Sequence, residues 1–133
     1  MDVENQLAVS LGKELLAHKQ TLSFAESCTG GLASSLVTDV AGSSEYLIGS
    51  IVTYTNEAKH NLLKVKQSIL DAYGAVSEET ACEMAQGVRE LFGSDYGVGI
   101  TGNAGPSGSD GKPVGLVYIA IATADDVYCK ELY

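Results

Sequence analysis

The sequence predicts an α/β fold with a mostly buried sheet. Segments with helical spacing of apolar residues alternate along the chain with short strand-like runs. One such strand, residues 21–26, runs directly into a glycine-containing turn and then into a helical pattern. A strand, a tight turn and a helix form the β–α junction at which α/β proteins place their chemistry.

The individual elements follow from local patterns. The first helix is predicted over residues 3–19, with an apolar face made of Val3, Leu7, Leu11, Leu15 and Leu16. The later helices are predicted at residues 32–40, at 57–63 after the N-cap Asn56, at 67–73, and from the N-cap Ser77 to Gly93. The strands are predicted at residues 21–26, 47–54, 96–101, 114–123 and 127–132.

Charge and length limit the possible functions. The 133 residues are enough for one domain with its own core. The 17 acidic and 8 basic residues leave a net charge of −9, which repels phosphate backbones and anionic lipid. We therefore expect neither a nucleic-acid partner nor a membrane partner. A small anionic ligand remains open if backbone N–H groups bind it locally.

The cysteines indicate the compartment. Cys28, Cys82 and Cys129 are odd in number, far apart and without the spacing of metal ligands. No metal site and no disulfide scaffold is expected, and a reducing, cytoplasmic location is the simplest interpretation. The longest nearly apolar run, residues 114–124, is too short to span a bilayer.

Ser27 is the candidate nucleophile because it follows a strand at or near the N-cap of the next helix. The N–H groups of Cys28 to Gly30 are expected to point outward there, where they could stabilise an oxyanion or bind a phosphate. A serine at this place could equally be a structural cap. Cys28 is a weaker candidate, since no partner residue is evident.

Lys59 is the preferred general base. If Asn56 caps its helix, Lys59 lies in the first turn, where the helix dipole and burial together are expected to lower the pKa of the lysine. His60 is the alternative base, and a solvated surface lysine is the structural alternative. Tyr54, at the end of a strand, could contribute a hydroxyl or simply pack.

A glycine-rich segment follows the strand at 96–101. Seven of the fifteen glycines lie between Gly97 and Gly115. The segment could be an anion cradle or only a hairpin connection, and the spacing favours neither.

Six short motifs together resemble one known family, the CinA C-terminal domain family. They are AESCTGG at 25–31, VTYTNEAK at 52–59, GAVSE at 74–78, ITG at 100–102, AGP at 104–106 and KPVG at 112–115. The resemblance runs in order from about residue 5 to residue 123. Its characterised members are nicotinamide-nucleotide amidases.

The resemblance implies a three-layer α/β/α sandwich with a mixed β-sheet and a Ser-Lys amidohydrolase without metal or organic cofactor. The implied reaction converts nicotinamide mononucleotide to nicotinate mononucleotide and ammonia. Ser27 matches the nucleophile, Lys59 the general base and Tyr54 an assisting hydroxyl. The residues that match the family's pocket, and are expected to bind substrate, are Cys28, Thr29, Gly30, Gly31, Asn56, Thr101, Gly102 and Gly105.

Two departures from the family pattern stand out. Asn103 occupies a position that is usually apolar, and residues 1–133 are interpreted as a stand-alone domain that lacks the family's last helix of roughly twenty residues. The alternatives are a nucleotide-binding module without turnover and an amidohydrolase for another amide. A homo-oligomer is expected if a neighbouring copy covers the exposed C-terminal edge strand.

Overall fold

The computed structural model describes residues 2–105 and 111–133. In chain order the elements are α1 (Val3–His18), β1 (Leu22–Glu26), α2 (Leu32–Thr38), a 3₁₀ turn (Ser43–Glu45), β2 (Leu47–Val52), α3 (Asn56–Leu63), α4 (Gln67–Tyr73), α5 (Glu78–Phe92), β3 (Tyr96–Gly102), β4 (Val117–Ala122) and β5 (Val127–Leu132).

The five strands form one mixed sheet in the order β2-β1-β3-β4-β5. β1 pairs in parallel with both β2 and β3, whereas β4 pairs antiparallel with β3 and with β5. The central position of β1 puts its carboxyl end between the ends of two parallel neighbours. Ligands of open α/β sheets bind at such ends.

The two faces of the sheet bury separate cores, because successive strand residues point to opposite faces. One core contains Leu15 of α1, Phe24 of β1 and Val37 of α2. The other contains Ala25 of β1, and Met84 and Val88 of α5. Helices therefore cover both faces, and the predicted three-layer α/β/α sandwich with a mixed β-sheet is confirmed.

The predicted apolar face of α1 is wrong in detail. Only Leu15 of that face is buried, whereas Val3 and Leu7 are 66% and 65% exposed. The helix packs instead through Ala8, Gly12 and Leu15. A Cβ atom at position 12 would collide with the hydroxyl end of Tyr46, so the small residue permits the close approach.

The larger side chains of α1 border an open groove. This groove of about 500 Å³ lies between α1 and the sheet and is lined mainly by apolar side chains, among them Leu11, Phe24, Val98 and Ile121. It lies on the face of the sheet that α1 and α2 cover only in part.

Several element boundaries differ from the prediction. α2 ends at Thr38 rather than at 40, and β2 ends at Val52 rather than at 54, so Tyr54 lies beyond the strand. Two further differences have a local cause. β4 begins at Val117 rather than at 114, because Gly115 adopts a φ of 93° that no strand residue shares. The N-cap of α3 is Thr55, whose hydroxyl accepts the N–H of Ala58, so Asn56 is the first helical residue. Across residues 2–105 and 111–133, no helix combines the length and the apolar character needed to cross a membrane.

Candidate active site

The turn after β1 carries the predicted nucleophile. Ser27 is 6% exposed, and its N–H donates to the carbonyl of Ile100 in β3 at 3.1 Å. Its expected position at or near a helix N-cap is wrong, since α2 begins only at Leu32. The chain turns first through Gly30 and Gly31, whose φ angles are 62° and 105°.

The predicted base comes from another element. Lys59 lies in the first half of α3 with its side chain fully buried. Its Nζ lies 3.2 Å from Ser27 Oγ and donates to the carbonyl oxygen of Thr53 at 3.0 Å and to that of Tyr54 at 3.4 Å. The fold therefore brings Ser27 and Lys59 into hydrogen-bonding contact across 32 positions of sequence.

These two side chains border a cavity of about 270 Å³. Cys28 and Tyr54 border it beside them, and residues 75–76 and 101–105 form the facing wall. Tyr54 is 73% exposed, and its backbone carbonyl rather than its hydroxyl contacts Lys59. An assisting role for the Tyr54 hydroxyl remains a prediction.

The predicted substrate-binding residues divide into two groups. Cys28, Thr101, Gly102 and Gly105 line the cavity, whereas Thr29, Gly30, Gly31 and Asn56 lie outside its described walls. The Thr101 hydroxyl is already engaged, because it donates to the carbonyl of Ala75 at 2.7 Å. Thr101 thus joins the two segments of the wall.

Sequence reasoning missed the role of Glu26, the fully buried last residue of β1. One carboxylate oxygen accepts hydrogen bonds from the Thr29 hydroxyl at 2.6 Å and from the N–H groups of Gly31 and Ala33 at 3.2 and 3.0 Å. The other accepts the N–H of Ser34 at 2.9 Å. The only local signal was an acidic residue directly before Ser27 and the Thr-Gly-Gly turn.

This network corrects the anion site predicted for the turn. The Gly31 N–H binds Glu26, and the Gly30 N–H donates to the carbonyl of Ser27 at 3.1 Å. A protein carboxylate already occupies the N-terminal end of α2, where anions are favoured. The N–H groups of Cys28 and Thr29 lie against the Cys28 sulfur, where they could instead stabilise an oxyanion.

Cys28 is poorly suited to be the nucleophile. Burial raises the pKa of its thiol, and the Glu26 carboxylate acts in the same direction. The Cys28 N–H, the Lys59 side chain and the Thr29 N–H offset only part of this effect. The reactive form of a cysteine is the thiolate. At neutral pH the Cys28 side chain is therefore mainly an unreactive thiol.

The alternative base, His60, faces away from the cavity. Its Nδ1 donates to the carbonyl of Val65 at 2.7 Å, which fixes the imidazole at the C-terminal end of α3. His60 is absent from the described cavity walls. The geometry favours Lys59.

Asn103 joins the two arms of the glycine-rich loop. Its side chain is almost fully buried, with Nδ2 donating to the carbonyl of Lys112 at 3.0 Å and Oδ1 accepting the N–H of Gly105 at 3.2 Å. Residues 106–110 lie outside the described part of the chain, as does the end of the AGP motif. The anion cradle predicted for this loop remains a prediction.

Residues 2–105 and 111–133 contain no cluster of metal-ligating side chains. In these ranges no three His, Cys, Asp or Glu side chains are grouped so that they could hold a metal ion. The residues that border the cavity instead offer a hydroxyl, an amine and backbone amides.

Comparison with known proteins agrees with this architecture. The chain is 59% identical over 113 residues to a CinA-like protein of Desulforapulum autotrophicum, covering 84% of this chain and 27% of that protein. It is 52% identical over 120 residues to a CinA-like protein of Gloeothece citriformis, covering 90% of this chain and 29% of that protein. The chain thus spans less than a third of either relative.

A solved structure matches along nearly the whole chain. The competence/damage inducible protein CihA of Agrobacterium tumefaciens superposes with a TM-score of 0.94 at 39% identity, over 99% of this chain and 81% of that one. The family model for the CinA C-terminal domain matches residues 4–133. With its fold and its sequence in agreement, this chain belongs to the CinA C-terminal domain family.

Proposed function

We propose that this protein is an amidohydrolase that converts nicotinamide mononucleotide to nicotinate mononucleotide and ammonia. The observation that carries the proposal is the 3.2 Å contact between Ser27 Oγ and Lys59 Nζ at the edge of a cavity. A hydroxyl beside a buried amine is the arrangement of a nucleophile with its general base. The substrate is inferred from the resemblance to the nicotinamide-nucleotide amidases of the family.

To act as a general base Lys59 must be a neutral amine, and its contacts can accommodate one. A neutral amine has two N–H groups, which can donate to the carbonyls of Thr53 and Tyr54. Its lone pair can then accept the proton of the Ser27 hydroxyl. Full burial of the side chain further disfavours the charged form.

The reaction then follows in two stages. Ser27 Oγ attacks the carboxamide carbon while Lys59 takes the hydroxyl proton, and the N–H groups of Cys28 and Thr29 would turn from the Cys28 sulfur to the oxyanion. Lys59 then returns the proton to the amide nitrogen and the C–N bond breaks. Ammonia is released, and the acyl group stays bound to Ser27 as an ester. Water, deprotonated by Lys59, hydrolyses the ester to the nicotinate product and restores Ser27.

The phosphate of the substrate is assigned to the wall at residues 101–105. The N-terminal end of α2 is engaged by Glu26, whereas Gly102 and Gly105 of this wall line the cavity. Backbone N–H groups can bind an anion without a basic side chain. This is needed in a chain with a net charge of −9. The N–H groups of Asn103 and Gly105 already donate to the Leu116 carbonyl at 2.9 Å and to Asn103 Oδ1 at 3.2 Å, so a phosphate here would use other N–H groups of the wall.

The direct test measures ammonia release from nicotinamide mononucleotide, with identification of the nicotinate product. Nicotinamide riboside and free nicotinamide serve as controls. We expect turnover of the mononucleotide and clearly weaker binding of the riboside by calorimetry, because the riboside lacks the phosphate. Equal affinity for both would contradict the phosphate site. Binding without ammonia release would instead indicate a nucleotide-binding module.

A further inference from the structure

We propose that Glu26 is the positioning residue of the Ser27–Lys59 pair, holding the turn after β1 so that the Ser27 hydroxyl stays within reach of the amine. The inference deepens the proposed function and, for its kinetic part, rests on it. Its basis is a carboxylate with no exposed surface that borders Ser27 in the chain and does not line the cavity.

The carboxylate organises the segment that follows the nucleophile. Its four hydrogen bonds reach Thr29, Gly31, Ala33 and Ser34, and so span the end of the turn and the first residues of α2. A buried carboxylate is costly unless donors satisfy it, and these four donors together with the positive end of α2 do so. The turn and the carboxylate therefore hold each other in place.

The backbone of Glu26 also contacts the segment that binds the Lys59 amine. The backbone carbonyl of Glu26 accepts the N–H of Thr53 at 2.9 Å, and the carbonyl of Thr53 in turn accepts Lys59 Nζ. The side chain of Glu26 fixes the segment after Ser27, while its backbone fixes the strand end that anchors Lys59. Small displacements of such a pair cost large factors in rate, because the reacting groups must stay aligned.

Replacement by glutamine separates positioning from mere packing. Glu26→Gln keeps the size of the side chain, but its amide NH₂ group must face at least one N–H donor that the carboxylate now satisfies. The turn should loosen while the cavity wall at 101–105 is unchanged. We expect kcat for nicotinamide mononucleotide to fall at least about tenfold and KM to change by less than about threefold.

A second readout needs no substrate. Cys28 lies in the same turn and is partly buried, so its limiting rate of alkylation by iodoacetamide at high pH, where the thiol is ionised, reports the accessibility of the turn rather than the pKa that the Glu26 charge raises. We expect this rate to rise at least about threefold in Glu26→Gln, as expected for local opening. Cys82 and Cys129, followed by peptide mass, are internal controls whose rates should not change. Glu90→Gln, an exposed change on α5, is the matched control protein.

The experiment distinguishes a failure of the Glu26 proposal from a failure of the proposed function. A folded Glu26→Gln protein with wild-type kcat would overturn the proposal, as would an unchanged Cys28 alkylation rate. If Glu26→Gln does not fold, Thr29→Val decides, because it removes one donor to the carboxylate and should shift both readouts in the same direction by less. A wild-type protein that releases no ammonia refutes the proposed function, while the alkylation comparison still decides whether Glu26 holds the turn.

Discussion

At the scale of single residues, the site depends on which of two adjacent side chains is reactive. Ser27 Oγ contacts Lys59 Nζ, whereas the Cys28 thiol has a raised pKa because it is buried. Neither fact could be derived from the order Ser-Cys in the sequence. In the structure the Ser27 hydroxyl contacts the amine of Lys59, whereas the Cys28 thiol lies in surroundings that raise its pKa.

The Cys28 pKa leads to a prediction about thiol chemistry. Alkylation of Cys28 proceeds through the thiolate, so a raised pKa predicts a rate at pH 7 below that of a free cysteine. The rate should climb with pH until the raised pKa is passed. Iodoacetamide labelling followed by peptide mass over a pH series measures it. A rate that is already maximal at pH 7 would show that the thiolate is stabilised and would reopen Cys28 as a nucleophile.

The sequence predicted the elements that carry Ser27 and Lys59, whereas their contact and the surroundings of Glu26 depend on tertiary structure. Ser27 after a strand and Lys59 early in a helix were both recognisable from patterns and from the family resemblance. Glu26 was missed because a carboxylate usually lies at the surface, and only the folded turn brings four donors to it. The N-cap was placed one residue late because Thr55 and Asn56 are both good caps.

At the scale of elements, α5 packs tightly against β3 because glycines remove side chains from the contact. A Cβ atom at Gly97 would collide with the backbone oxygen of Ala85, and one at Gly99 with that of Ala81. The sequence showed glycines in this strand, but only as part of a glycine-rich region. The packing role depends on a helix from elsewhere in the chain, so it could not be derived locally.

Gly99→Ala should therefore destabilise the protein by about 1–3 kcal/mol, as expected for overpacking against backbone that cannot move aside. Gly49→Ala is the matched comparison in β2, because there the added methyl would meet only the ring of Phe92, which is a side chain and partly buried. Urea unfolding of both variants measures the difference in the free energy of unfolding. Equal losses would show that α5 can shift away from the sheet.

The first helix shows how an element can be predicted correctly and its packing wrongly. The apolar spacing placed α1 to within one residue, yet its contact face is Ala8, Gly12 and Leu15. Tyr46 reaches Gly12 from a distant turn, and such a partner leaves no trace in the helix's own periodicity. Hydrophobic periodicity identified the helix, whereas residue size at the contact decided its orientation.

At the scale of the whole molecule, strand order explains why the site forms where it does. β1 lies between β2 and β3, so Ser27 at its end meets residues that follow β2 and the wall that ends β3. The sequence predicted the α/β class and, through the family resemblance, the mixed sheet. The pairing order came only from the structure, because it depends on contacts between residues far apart in the chain.

One kinetic comparison tests the proposed Ser27–Lys59 amidase most directly. Initial rates of ammonia release from nicotinamide mononucleotide are measured for the wild type and for Ser27→Ala, Lys59→Arg and Cys28→Ala, with substrate binding followed by calorimetry. Lys59→Arg keeps a positive charge but cannot act as a base, since arginine stays protonated.

The account predicts that Ser27→Ala and Lys59→Arg lose at least about 1000-fold in kcat, the scale of removing a nucleophile or its base, while they still bind the substrate. Cys28→Ala should stay within about threefold of the wild type. A Lys59→Arg protein with substantial turnover, or an inactive Cys28→Ala beside an active Ser27→Ala, would contradict the assignment.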